Sequence, residues 1–277
     1  MMLLALQLLM TELIPAQNFE VPAGEVLEID DLAEVGEMGT VKLGENSELQ
    51  LPSFRSLRIR QLIAKDGARI KLANSSSGQS GEFSVNGGDG SDGVFLFDKV
   101  DGHVIIESRG GDGGAGRDGV DGQQGQVGGK GRNGIWFLFF YLSEGEDGKP
   151  GQDGEPGANG EDGGRGGNGG KVKVFYRTKT PNSQILVDVA AGRGGVGGKA
   201  GHGGLGGPGG PGGRGTRPGA QGPMGRAGEN GKPGRPGEPG FPGKAEIYQV
   251  DADLYRCLLQ KELLGMDWGD LKSCVSQ

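Results

Sequence analysis

Short runs of alternating apolar and polar residues occupy much of the chain outside its glycine-rich stretches. Runs at 26–29, 40–43, 48–51 and 57–60 alternate in this way, and each of the last two starts eight or nine residues after the one before it. A period of two is the pattern of a strand with one buried face. The runs therefore predict an all-β fold. Short, regularly spaced strands occur both in sandwiches and in β-solenoids, and the pattern slightly favours the sandwich.

Two Asp-Gly dipeptides stand inside longer alternating stretches and predict hairpins. Asp66-Gly67 lies at the middle of 62–72, and Asp101-Gly102 separates the apolar runs 94–97 and 103–107. Asp-Gly suits a tight turn because it accepts positive φ angles. We expect each pair of flanking runs to form an antiparallel hairpin.

One run, 135–142, is apolar at every position: Ile-Trp-Phe-Leu-Phe-Phe-Tyr-Leu. A strand covered on both faces has this pattern, so the run predicts a core strand. A helix needs about 20 apolar residues to cross a bilayer, and this run is too short to do so.

The two ends of the chain carry apolar segments of other kinds. Residues 1–10 resemble the apolar part of a secretory signal with cleavage near Ala16, and a first helix packed on the β-domain is the alternative. Residues 251–264 have leucines at helical spacing and predict a short amphipathic helix. Cys257 and Cys274 either form a disulfide that staples this tail or are two reduced, buried cysteines.

Glycine recurs at every third position in three tracts. Tract one (110–134) and tract two (145–169) each have glycine at all nine such places, and tract three (192–243) has it at seventeen of eighteen. Thr216 is the one exception. A flexible linker needs no such period, whereas a left-handed extended helix has three residues per turn. The period predicts polyproline II or polyglycine II helices.

Two stretches carry the triplets most typical of collagen: Gly231-Lys-Pro-Gly-Arg-Pro-Gly-Glu-Pro-Gly-Phe-Pro-Gly243 and Gly148-Lys-Pro-Gly-Gln-Asp-Gly-Glu-Pro-Gly157. In this the chain resembles bacterial collagen-like surface proteins. That resemblance implies a parallel homotrimer that serves as a stalk or adhesin.

Residues 192–213 differ, because most of their triplets contain two glycines. A chain in a collagen triple helix needs one face without side chains, whereas a helix with neighbours on several sides needs several such faces. This stretch resembles the polyglycine II bundles at the tips of some phage tail-fibre adhesins, whose connecting loops bind host surfaces. Because every tract starts and ends at a predicted strand, and those strands must share one core, each tract should fold back near its middle. Pro218 beside the missing glycine predicts such a turn near 214–218. The double-glycine arm should then lie inside the bundle and the proline-rich arm, 219–243, at its edge.

These patterns divide the chain into eight parts. They are an apolar or signal segment (1–17), the first part of a β-domain (18–109), tract one (110–134), a core strand (135–144), tract two (145–169), a β-hairpin (170–191), tract three (192–243), and a closing strand with the C-terminal helix and tail (244–277).

Composition narrows the class of protein. Glycine accounts for 62 residues and proline for 14, while apolar residues make up only 33% of the chain, which excludes one large core across its whole length. The net charge of −7 argues against a general nucleic-acid binder. Tract two carries six acidic and two basic residues, and tract three seven basic and two acidic, so oppositely charged tracts could pair within or between chains.

Motifs for chemistry are few. Residues 87–95 match one copy of a calcium-binding nonapeptide, which makes Asp89 and Asp92 metal candidates, although such sites use tandem copies. His103 and His202 have no nucleophile and acid arranged around them in the sequence. We therefore expect no enzyme and no cofactor.

The sequence favours an extracellular or cell-surface protein, adhesin-like, with exposed hairpin tips. The tip candidates lie near the tract midpoints: Gln123, Gln124, Ala158, Asn159, Thr216 and Arg217. Because none is aromatic, the expected partner is a surface or matrix component bound by polar contacts, such as a carbohydrate. No nucleic acid and no membrane span are expected, and the chain is a monomer or a homotrimer. The alternative function is a structural, collagen-like fibre that assembles as a homotrimer.

Overall fold

A computed structural model describes residues 16–30, 37–52, 54, 56–72 and 83–263. The fold is mostly β, with one short helix. The strands are β1 (Gln17–Val21), β2 (Val26–Glu28), β3 (Met38–Leu43), β4 (Glu48–Leu51), β5 (Ser56–Leu72), β6 (Gly93–Glu107), β7 (Trp136–Phe137), β8 (Phe140–Tyr141), β9 (Lys171–Lys179), β10 (Gln184–Asp188) and β11 (Lys244–Gln249). The helix is α1 (Ala252–Leu263), which confirms the amphipathic helix predicted from the leucine spacing.

All strand pairs of the large sheet are parallel. One run has the order β1-β3-β5-β6-β9-β11, and a second run pairs β2 with β4, β4 with β5, and β10 with β6. The long strands β5 and β6 belong to both runs, so the chain passes from one run to the other within a single strand.

The two predicted hairpins are wrong. The halves of β5 on either side of Gly67 each pair with β6 and do not pair with each other. Gly67 and Gly102 have φ angles of 75° and 88°, so both Asp-Gly sites do turn the chain. They form corners between the two parallel runs, because positive φ is needed at a corner as much as in a hairpin.

The apolar side chains of the two runs form one buried cluster. Phe95 and Phe97 on β6 lie at its centre, with ring centroids 5.7 Å apart. The alternation seen in the sequence is therefore real, because every second residue of β4 and of much of β5 points into this cluster.

A smaller cluster lies under α1. Tyr255 and Leu258 of the helix are buried with Leu96 and Phe175 of the sheet. Burial raises the pKa of Tyr255, and the nearby Asp98 carboxylate acts in the same direction. Arg58 lies 5.9 Å from the centroid of the Tyr255 ring and is 3.1 Å from Asp98.

The glycine tracts lie side by side and are joined by backbone hydrogen bonds at every third residue. Tract one runs parallel to the first arm of tract three (192–213). The bonds between them begin with Gly110 N–H donating to the Ala190 carbonyl and end with Gly134 N–H donating to the Arg214 carbonyl. Tract two runs antiparallel to both, and its glycine amides donate to the parallel second arm (219–243), from Gly145 on Arg217 to Gly169 on Phe241.

This register shows where the chain reverses direction. Tract one and tract two stay paired over their whole length, so neither bends near its middle as predicted. The reversal between them is made by 135–142. Tract three does reverse near 214–218, because its two arms pair antiparallel from Gly219 with Gly213 to Gly243 with Val189.

The double glycines of the first arm of tract three occur where it has neighbours on several sides. In the first arm, a Cβ on Gly195 would collide with the Gly114 carbonyl of tract one, and a Cβ on Gly194 with the Gly237 carbonyl of the second arm. In the described chain the first arm bonds to three neighbouring segments and the second arm to two, as the glycine and proline contents predicted.

The same rule explains the double glycines of tract two at its β-domain end. There, residues 83–92, which we call the base segment, run parallel to tract two through Gly87 and Gly90. A Cβ on Gly164 or Gly167 would collide with carbonyls of the base segment.

Candidate functional site

The end of the bundle away from the large sheet is formed by two connections, which together we call the distal tip. They are the apolar run 135–142 and the turn 214–218. The two are held together by hydrogen bonds from Gly134 N–H to Arg214 O (2.7 Å) and from Thr216 N–H to Ser143 O (3.0 Å).

The apolar run folds as a tight hairpin of β7 and β8. Trp136 pairs with Tyr141 and Phe137 with Phe140, and the Leu142 amide donates to the Ile135 carbonyl. The apex is Leu138-Phe139, and Leu138 has a φ of 56°, which is rare for a bulky residue. The rings of Trp136 and Tyr141 contact edge to face, with centroids 4.6 Å apart.

The side chains of this hairpin are exposed, so the prediction that 135–144 forms a core strand is wrong. Ile135 and Leu142 at its ends, and all the large side chains between them except Tyr141, are 54–88% exposed, with Phe139 the most exposed. The sequence pattern was consistent with a strand covered on both faces, but the tract pairing carries this run to the far end of the bundle. Monomeric proteins seldom expose a contiguous apolar patch of this kind, and such patches mark interaction sites.

Polar and charged residues surround the base of the hairpin. Arg214, Thr216 and Arg217 of the turn are exposed there, and Arg132 and Glu144 flank the hairpin along the chain. The distal tip thus combines an apolar projection with a rim of mixed charge.

The structure separates the six predicted tip residues into two groups. Thr216 and Arg217 lie at the distal tip. Gln123, Gln124, Ala158 and Asn159 lie along the side of the bundle, since the predicted bends in tracts one and two do not exist. The apolar run 135–142 was itself the sequence signal for the exposed hairpin. It predicts a core strand instead, because the sequence does not show what covers a strand.

Aspartate and asparagine at the third position of the triplets have a structural role in the bundle. Their Oδ1 atoms accept a backbone N–H of a neighbouring segment at 2.6–2.9 Å. Asn230 accepts from Gly203 across the two antiparallel arms of tract three. The other pairs in the long tracts join parallel segments and are Asp112–Arg193, Asp118–Lys199, Asp121–His202, Asn133–Arg214, Asp147–Ala220, Asp153–Arg226, Asn159–Lys232, Asp162–Arg235 and Asn168–Phe241.

Proline follows the same register. Pro208 and Pro211 of the first arm have no N–H to donate, and the residues of tract one in line with them are Val127 and Lys130. Pro223 of the second arm is likewise opposite Pro150. Side-chain acceptors are therefore placed where a backbone donor exists.

The calcium candidates belong to this set. Asp89 accepts the Asn168 N–H at 2.6 Å and Asp92 accepts the Lys171 N–H at 2.7 Å. No group of three or more His, Cys, Asp or Glu able to hold a metal ion occurs among the described residues. Asp89 and Asp92 thus align the base segment with tract two.

The predicted pairing of acidic tract two with basic tract three is made by backbone amides, and the described side chains show no ion pair between these two tracts. The residues that donate to these carboxylates include Arg193, Arg226 and Arg235, but their backbone amides make the contact. Arg193 also pairs through its side chain with Asp112, at 3.6 Å.

The two histidines lie apart from each other. His103 Nδ1 is 2.7 Å from Asp66 Oδ1, and its Nε2 is 2.8 Å from the Asn182 carbonyl, at a corner of the parallel sheet. His202 is an exposed residue of the first arm whose backbone N–H donates to Asp121.

The remaining predictions concern the two ends of the chain. Residues 1–15 and Cys274 lie outside the described residues, so the signal segment and the pairing of Cys257 with Cys274 stay predictions. Within the described chain, no helix is long and apolar enough to span a membrane.

Comparison of the chain with protein families, curated proteins and solved structures found no match.

Proposed function

We propose that this protein is a non-enzymatic, adhesin-like surface protein that presents the distal tip to a cell-surface partner. In this proposal the parallel strands form a two-faced β-solenoid that serves as a base. The glycine tracts form a bundle of polyglycine II helices that holds the tip away from it.

The hydrogen-bond pattern supports the polyglycine II assignment. Donors recur at every third residue along tract one, tract two and both arms, which is the period of that helix. Parallel and antiparallel neighbours occur side by side, and a collagen triple helix has only parallel chains. At about 3.1 Å per residue, tract one and tract two each span roughly 75 Å.

The parallel pairing among the strands from β1 through β6 supports the solenoid base. Successive passes of the chain stack on one another with the same strand order in both runs. A base of this kind is rigid. Tract one leaves it after β6 and tract two returns to it at β9, while tract three leaves it after β10 and returns at β11.

The observation that carries the proposal is the exposed apolar hairpin at the end of the bundle. Phe139 at its apex is 88% exposed. Exposing these side chains to water is unfavourable by about 1.5–3 kcal/mol each relative to full burial. A partner that covers them would recover much of that free energy.

Binding of the full-length protein to intact cells tests the proposal. A fluorescently labelled protein is titrated onto bacterial and epithelial cells, beside a Trp136→Ser/Phe139→Ser variant. We expect saturable binding that the tip variant loses. The matched control is Val120→Ser/Leu205→Ser, which changes two exposed apolar residues on the side of the bundle, 76% and 63% exposed.

Equal binding by the tip variant and the native chain would contradict the proposal. A trimeric rod that binds no cells would instead support the collagen-like fibre. Export is part of the same proposal, and finding the intact chain only in the cytosol of its source cell would contradict it.

A further inference from the structure

We infer that the distal hairpin inserts into the interfacial layer of a lipid bilayer. The inference rests on the proposed function and names the partner of the same tip. The occupant is a phospholipid membrane surface, entered from one side, and the protein does not cross it.

The first argument is that the hairpin is exposed all round. Trp136 and Phe137 on β7 and Phe140 on β8 are each more than half exposed, as are both apex residues. A protein groove covers one face of a hairpin, whereas a fluid apolar phase surrounds both faces. Among the large side chains of the hairpin, Tyr141 alone is only partly exposed, so such a phase can reach side chains on both strands.

The second argument is the order of residue types along the hairpin. The pair nearest the tracts is Trp136 and Tyr141, the next pair is Phe137 and Phe140, and the apex is Leu138-Phe139. Trp and Tyr have one apolar and one polar end and favour the headgroup level of membranes. Purely apolar side chains stand farther out, where the acyl chains would lie.

The third argument is the absence of polar side chains from the run. Residues 135–142 contain no charged side chain, and their only polar side-chain groups are the Trp136 N–H and the Tyr141 hydroxyl. A glycan site needs several polar groups to match sugar hydroxyls. Within the hairpin the strands also bond to each other, which lowers the cost of moving their backbone into lipid.

The size of the projection fits the depth of the interface. Each arm of the hairpin, 135–138 or 139–142, would reach at most about 13 Å at the rise of an extended strand, and apolar faces of interfacial segments enter a membrane by about 5–10 Å. The charged rim would stop the hairpin at that depth. Because Arg132, Arg214 and Arg217 are accompanied by Glu144 and Glu146, these rim residues carry a net charge of only +1, and insertion should not require anionic lipid.

Tryptophan fluorescence tests the inference in the full-length chain. Trp268 is the only other tryptophan, so a Trp268→Phe variant makes Trp136 the sole reporter. With phosphatidylcholine vesicles we expect a blue shift of Trp136 emission and quenching by phosphatidylcholine brominated on its acyl chains. Vesicles that also contain phosphatidylglycerol should bind with similar affinity.

Variants then locate the contact. Phe139→Ser should weaken vesicle binding by about tenfold or more, because one large apolar side chain no longer leaves water. Leu205→Ser, on the side of the bundle, should bind as the native chain does. Both changes affect exposed side chains, and an unchanged melting temperature of each would confirm that the fold is retained.

Three results would overturn the inference. Cell binding with no binding to either kind of vesicle would show a protein or glycan partner, and the proposed function would still hold. Binding only to phosphatidylglycerol vesicles that 0.5 M salt abolishes would show adsorption by the arginines. Tip-dependent dimers in the absence of vesicles would show that a second copy covers the hairpin.

Discussion

At the scale of single residues, the side chains of aspartate and asparagine fix how neighbouring tracts align. A glycine triplet carries almost no side-chain information, so one tract could slide along another by three residues at little cost. The Oδ1 acceptors limit such slippage, because each must find a backbone N–H and avoid a proline. Asp153, which accepts from Arg226 N–H at 2.6 Å, is a typical member.

Replacing Asp153 by alanine should lower the free energy of unfolding by about 1 kcal/mol, the usual contribution of one such hydrogen bond. Asp153→Asn keeps an Oδ1 acceptor and should stay close to the native value. Chemical denaturation of the two variants at neutral pH measures the difference. Equal stability of the alanine and asparagine variants would mean that the acceptor has no role.

The buried Tyr255 predicts a loss of stability at alkaline pH. Its pKa is raised by burial, whereas a tyrosine in the unfolded chain ionises near pH 10. The folded state therefore holds its proton longer than the unfolded state does. This contribution is complete below about pH 10 and is lost as the pH rises further.

The measurement compares the native chain with Tyr255→Phe at pH 9 and pH 11. Relative to the phenylalanine variant, the native chain should lose about 1 kcal/mol of unfolding free energy between these two pH values. Parallel pH dependence of the two proteins would rule out Tyr255 as the titrating group.

At the scale of elements, a second glycine in a triplet can indicate that another backbone segment packs closely at that position. Tract two and the first arm have double glycines where another segment packs against that face, as at Gly164 beside the base segment, whereas Gly129 of tract one faces only the Lys149 side chain. The proline-rich second arm bonds to two segments and uses single glycines over nearly all of its length.

Gly203→Ala and Gly129→Ala test this, because both residues are second glycines of their triplets. A Cβ at Gly203 would collide with the Gly228 carbonyl, whereas one at Gly129 would meet only the flexible side chain of Lys149. Gly203→Ala should destabilise the protein by about 3 kcal/mol, the upper part of the range for overpacking. Gly129→Ala should be neutral or slightly stabilising, because it restricts the unfolded chain. Thermal unfolding of both would decide, and the opposite order of stability would contradict the packing.

The same scale shows what the sequence can and cannot predict. The glycine tracts, the turn near 214–218 and helix α1 follow from local periods and from one missing glycine. The parallel pairing does not, because Asp66-Gly67 indicates only a positive φ and carries no information on which strands pair. The sequence places the distal hairpin in the core for a similar reason. A fully apolar run looks the same in the sequence whether or not other elements cover it.

At the scale of the whole molecule, we expect the proposed bundle to give an elongated monomer. Light scattering should give the mass of one chain, 28.5 kDa. Small-angle scattering should give a maximum dimension above about 75 Å, the length of the tracts alone. A threefold mass with a triple-helix circular dichroism signal would support the homotrimeric fibre instead.

The unbroken register between the tracts also constrains how such a protein can change its length in evolution. Because tract one, tract two and both arms share one set of bonds, a triplet added to a single tract would shift its later donors past their acceptors. One triplet added at the same level to all four would keep every pair. The reach of the tip can therefore be adjusted in steps of about 9 Å, three residues of rise, while the base and the hairpin stay as they are.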